Sequence, residues 1–148
     1  MKEQKHQYVY VNEQLLPLDK AVLHVSDLAI QRGYGIFDFF KIQEGHPYFL
    51  DDYLHRFFRS AGLMYLEVPH QQGVLKSMIY TLIEKNNLFQ SGIKMVLTGG
   101  YSVDGYHPAA PNLVITQQDF SLPGGDQLET GIEVITYEYQ RELSAAKT

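Results

Sequence analysis

Cysteine and tryptophan are both absent from the 148 residues. Without cysteine there can be no disulfide, no thiolate nucleophile and no thiolate-bound zinc. No apolar run approaches the roughly 18–20 residues that span a bilayer, so no membrane partner is expected. Basic residues are in the minority, 12 against 17 acidic, for a formal net charge of -5. That balance, with no local basic stripe to offset it, speaks against nucleic-acid binding, which depends on Lys and Arg neutralising phosphates. The polar first five residues lack an apolar signal core, and a cytoplasmic location is the expectation. Histidines stand at 6, 24, 46, 55, 70 and 107, none paired at i,i+4 on a predicted helix, so no metal site is expected. The Gly-x-Ser-x-Gly nucleophile elbow is missing as well. Gly33-Tyr34-Gly35 is not a phosphate loop, because it lacks a third glycine and precedes a strand rather than a helix.

What is present is the composition of one globular domain: 45% hydrophobic, 20% charged, with 11 Tyr and 8 Phe. Residues 8–11 read as a strand followed by a turn at Asn12-Glu13. The β-branched and aromatic run at 36–42 reads as a strong strand, with Glu44-Gly45 turning the chain so that 47–50 pairs back. Asp51-Asp52 is positioned to cap a helix bearing Leu54, Phe57, Phe58 and Ala61 on one stripe, with Gly62 at its end. A second helix spans about 72–86, with Val74, Leu75, Met78, Ile79, Leu82 and Ile83 on one face. Strands are expected at 93–98 and 112–117, separated by a Gly-, Tyr- and Pro-rich loop, and a last strand at 131–137 follows a linker at 121–126. This order predicts an α+β fold, a mainly antiparallel sheet with two helices packed on one face, plus the start of a second domain. The expected boundary leaves residues 1–118 as the N-terminal α+β domain, and 119–148 as linker and first strand of the next.

One segment carries a specific signal. Ser26-Asp27-Leu28-Ala29-Ile30-Gln31-Arg32-Gly33-Tyr34-Gly35-Ile36-Phe37-Asp38 resembles the signature of the class IV (fold-type IV) pyridoxal-phosphate enzymes. That group includes branched-chain and D-amino-acid aminotransferases and aminodeoxychorismate lyase. Leu28-Ala29 replaces the usual Arg-Gly, Tyr34 an Asp, and Asp38 is one methylene shorter than the family's Glu. The resemblance continues in register. Residues 44–50 look like the family hairpin, 54–61 like its hydrophobic-x-Arg-Leu-x-x-Ser-Ala helix, and 141–148 like the segment carrying the Schiff-base lysine.

The resemblance implies roles residue by residue. Lys147 is implied as catalytic base and attachment point of pyridoxal 5′-phosphate, whose aldehyde needs an amine to hold it. From spacing alone Lys147 reads as a solvated lysine. Arg56 is implied at the cofactor phosphate, where a planar fork meets two oxygens; by itself it reads as a snorkelling surface side chain. Phe37 falls where the family lines its substrate pocket, with core packing as the competing reading. Asp38 shares a strand face with Ile36, Phe40 and Ile42, so it needs a partner or a wet rim position. Residues 99–108 resemble the substrate-carboxylate loop, but Asp104 stands where an Arg is usual. Either Tyr106, His107 or a backbone N–H reads the carboxylate, or the substrate is not an ordinary α-amino acid; alternatively the segment is a plain surface turn.

The implied activity is amino-group transfer between an amino acid and a 2-oxo acid, by a homodimer whose 99–108 loop lies near the subunit boundary. A lyase of the aminodeoxychorismate type is the alternative on the same fold, and a non-catalytic interaction domain is the alternative of another class. The resemblance covers about the first half of such an enzyme. It implies that a C-terminal domain supplies most cofactor contacts, and that the chain alone binds cofactor poorly, turns over nothing measurable and self-associates.

Overall fold

A strict alternation of buried and half-buried side chains marks the longest strand, β3 (Gly35–Gln43), with Ile36, Asp38, Phe40 and Ile42 all turned to one face. The computed structural model describes residues 7–120, 124–140 and 146. β3 runs antiparallel to β5 (Ser91–Thr98) over its whole length, from Gly35 opposite Thr98 to Ile42 opposite Ser91. β6 (Leu113–Asp119) lies on the far edge of β5, followed by β1 (Tyr8–Val11) and then β2 (Gln14–Pro17). β4 (His46–Pro47) closes the other side, giving the order β2-β1-β6-β5-β3-β4 with every pairing antiparallel.

Two long helices, α2 (Leu50–Leu63) and α3 (Gln72–Asn86), cover one face of this sheet. Leu54, Phe57 and Ala61 of α2 and Leu75, Ile79 and Leu82 of α3 join Phe40, Ile93, Met95 and Ile115 in one buried cluster. Each of the larger of these side chains contributes about 1.5–3 kcal/mol relative to exposure, and the Ala61 methyl less. The expected α+β arrangement is therefore the observed one. Between β2 and β3 lies the five-residue helix α1 (Leu28–Arg32), and after β6 comes α4 (Gly125–Thr130).

Several local expectations are corrected. Asp51 and Asp52 do not cap α2; they sit in its first turn, and the cap is Phe49 in the left-handed region at φ 51°. The returning strand is only two residues long, because the chain turns at Tyr48-Phe49 directly into α2. Val74 is 46% exposed and lies off the buried stripe of α3. Residues 131–140 form no strand, and Ile132, Val134, Ile135, Tyr137 and Tyr139 are all exposed. Among the described residues no strand lies beside them to satisfy a ladder of hydrogen bonds.

Candidate active site

Asp38 and Arg56 come together where β3 faces α2. Asp38 is fully buried on a face otherwise made of Ile36, Phe40 and Ile42, and an ionised carboxylate there requires donors. It receives a hydrogen bond from the backbone N–H of Phe39 at 2.9 Å and one from Arg56 Nε at 2.9 Å. Arg56 Nη2 donates to its other oxygen, so the pair is bidentate. The Arg56 side chain keeps 47% of its surface, and its guanidinium carbon lies 4.8 Å from the centre of the Tyr53 ring. The hydrogen bonds to Asp38 push the Arg56 guanidinium further toward its charged form, against a smaller opposing effect of burial.

A second polar cluster ties the segment before β3 to the loop after β5. Asp27, fully buried, caps α1 by accepting from the Ala29 N–H at 2.8 Å. Its other oxygen accepts from Thr98 Oγ1 and from Asn112 Nδ2, both at 2.8 Å. Leu28 N–H donates to the Gly100 carbonyl at 3.0 Å, and Ser102 N–H to the Ser26 carbonyl at 3.1 Å. Gly100 has φ 79°, and a Cβ there would lie 2.1 Å from the Ala110 carbonyl oxygen, so only glycine fits. Arg32 reaches across to the same loop. Its Nε donates to the Gly105 carbonyl and its guanidinium stacks on Tyr106 at 3.8 Å.

Within the loop Asp104 acts as an organiser. Its carboxylate accepts from the backbone N–H groups of Tyr106 and His107, each at 2.9 Å, from Ser102 Oγ at 3.1 Å, and lies 2.5 Å from His107 Nδ1. The hydrogen bonds from the His107 backbone and ring, then from the Tyr106 backbone, hold the Asp104 carboxyl far below the usual carboxylate range. Tyr106 is 70% exposed and the His107 side chain 87%. Because β5 ends at Thr98 opposite Gly35, the loop springs from the end of the sheet where β3 begins, three residues from Asp38.

Of the sequence-predicted residues, the described ones form two pairs and one side chain that stands apart. Asp38 and Arg56 bond to each other, and Tyr106 and His107 share the Asp104 loop. Phe37 lies on the opposite face of β3 from Asp38, half-buried, with Lys94 Nζ 5.2 Å from its ring. Lys147 lies outside the described residues; Ala146 before it is buried. Sequence reasoning assigned no role to Asp27 or Arg32. An acidic residue just ahead of a short helix was the available signal for Asp27. Arg32 gave none, since its partner Gly105 is 73 residues away. A cleft of about 520 Å³ beside the β1–β2 turn, bordered by Glu13, Lys20, His70 and Tyr101, contains none of the predicted residues.

The chain is similar to known proteins along most of its length. It is 23% identical over 116 residues to the D-alanine aminotransferase of Listeria innocua serovar 6a, covering 78% of this chain and 38% of that protein. Its fold matches the branched-chain amino acid aminotransferase of Escherichia coli. There the TM-score is 0.75 at 21% identity, over 83% of this chain and 43% of the other. It also matches the 4-amino-4-deoxychorismate lyase of Pseudomonas aeruginosa, TM-score 0.67 at 20% identity, over 84% and 44%. The chain therefore spans less than half the length of these relatives. Residues 35–148, from the first residue of β3 onward, match the amino-transferase class IV family, and the chain belongs to it.

Proposed function

We propose that the protein moves an amino group between an amino acid and a 2-oxo acid, with pyridoxal 5′-phosphate held by Arg56 at its phosphate and by Lys147 at its aldehyde. The observation that carries this reading is Arg56. It is a cationic fork fixed on a buried carboxylate, half open to solvent, inside the region matched to the class IV family. That donor set fits the group, since a planar guanidinium pairs with two phosphate oxygens. When bound, the cofactor supplies the electron sink for the carbanion left when the substrate Cα loses its proton. Lys147 Nζ takes that proton and returns it. It must be neutral to do so, which requires burial or neighbouring cations to bring it below the ordinary lysine value of about 10.4. Phe37, Tyr106 and His107 border the substrate, in a homodimer that brings the 99–108 loop to the subunit boundary.

The test is turnover by the full-length protein with D- and L-amino acids and a 2-oxo acid acceptor. Amino product is expected only when the acceptor is present, with a loss of about 10³-fold or more in Lys147→Ala. Undiminished turnover by that variant overturns the reading. One observation keeps a lyase as the alternative: the 4-amino-4-deoxychorismate lyase of Pseudomonas aeruginosa has the same fold over this region. Pyruvate released without any acceptor identifies that reaction instead.

A further inference from the structure

Asp38 fell among the expected substrate-pocket residues, yet its contacts give it different work. Its side chain is 1% exposed, and both of its oxygens take N–H groups of Arg56. The bonds run side-on, through Nε and one terminal nitrogen, so they fix the plane of the guanidinium. A second contact comes from Tyr53, whose ring centre lies 4.8 Å from the guanidinium carbon. Tyr53 is itself packed on Phe40, with ring centres 5.3 Å apart. A long side chain with several free torsions is therefore held by a buried carboxylate along one edge and packed beside an anchored ring. Of the five N–H groups of a guanidinium, two serve Asp38. The edge between the two terminal nitrogens is not the one that Asp38 uses, and it is the edge with the geometry to accept two oxygens of a phosphate monoester.

We propose that Asp38 is a positioning residue, whose buried carboxylate pre-orients Arg56 so that the end-on edge of its fork receives the phosphate of the ligand. The inference rests on the reading of Arg56 as the phosphate holder. It has an unusual property: orientation and net charge act in opposite directions. Asp38 places a negative charge beside the cation that must attract a dianion, and Coulomb's law alone says that removing it tightens phosphate binding. Pre-organisation says that removing it weakens binding, because the fork must then be ordered when the ligand arrives. The sign of the effect decides between the two.

The experiment measures affinity for pyridoxal 5′-phosphate and for pyridoxal in the full-length protein, and takes their ratio as the preference for phosphate. Asp38→Asn, which keeps the shape and removes the charge, is expected to lower that ratio about 10-fold, the size seen when a supporting hydrogen-bond partner is lost. Asp38→Glu retains the carboxylate and is expected to hold the ratio within about threefold of wild type. Arg56→Ala is expected to abolish the preference. If Arg56→Ala abolishes it while Asp38→Asn leaves it unchanged or raises it, the positioning role is overturned and the phosphate-holding role stands. If Arg56→Ala leaves it unchanged, both fall. A merely structural Asp38 would lower the melting temperature of the Asn variant without moving the ratio. Should Asp38→Asn fail to fold, the wild-type protein still decides the matter by NMR. A resolved, slowly exchanging Arg56 Nε–H signal without ligand supports the restraint, and one averaged with the solvated arginines overturns it.

Discussion

At the scale of single residues, the acidic side chains of this protein divide by what they hold. Asp27 joins α1, β5 and the strand-leading Asn112; Asp38 holds a cation; Asp104 folds a loop. The last has a consequence for pH. The Asp104 carboxyl is held below its ordinary value, so the folded state binds the proton less readily than the unfolded chain. The stability it contributes is complete above the ordinary carboxylate range, near about pH 4, and is lost as pH falls below that through the lowered folded value. Wild type and Asp104→Asn should therefore differ in denaturation midpoint at pH 7 and converge on acidification. A difference that persists undiminished well below about pH 4 contradicts the assignment. The chemistry of Asp38 was partly legible in sequence, since strand alternation already put a carboxylate on an apolar face in need of a partner. That the partner is Arg56 was not, because the pairing depends on how α2 crosses β3.

At the scale of elements, periodicity was the reliable guide, and ends were not. Both long helices and β1, β3, β5 and β6 lie where apolar spacing places them, because burial of a face leaves a repeat in the sequence. The start of α2 departs from the expected Asp51-Asp52 cap because a non-glycine residue, Phe49, adopts positive φ, which no local composition announces. The strand expected at 131–137 has the right residue types but no neighbouring strand among the described residues, and β-propensity without a partner makes no sheet. Two glycines give a test at this scale. Gly62 lies exposed in the last turn of α2, where a Cβ would meet nothing within 4 Å. Gly62→Ala should raise stability by about 0.5–1 kcal/mol, read as a higher urea midpoint. Gly100→Ala forces a Cβ against the Ala110 carbonyl oxygen at positive φ and should cost about 2–4 kcal/mol. Equal effects at the two sites would count against the loop geometry.

At the scale of the whole molecule, one face of the sheet is closed by helices, and the chain after α4 presents Ile132 at 83%, Ile135 at 91% and Tyr137 at 85% exposure. Apolar surface of that kind, on a segment of strand-like composition, promotes association. The isolated 148-residue chain should show a sedimentation coefficient that rises with concentration, and Val134→Lys with Ile135→Lys should suppress the rise. A concentration-independent monomer in the wild-type chain contradicts this expectation. The strand order has a temporal consequence as well. β1 finds its inner neighbour only in β6, where Tyr10 sits opposite Ile115. At a typical synthesis rate of roughly 5–20 residues per second, the β1–β2 hairpin emerges from the ribosome about 5–20 s before the strand that completes its seat. The amino-terminal hairpin must therefore wait, tethered and unpaired along one edge, while the remainder of the sheet is translated and docks last onto its earliest-made piece.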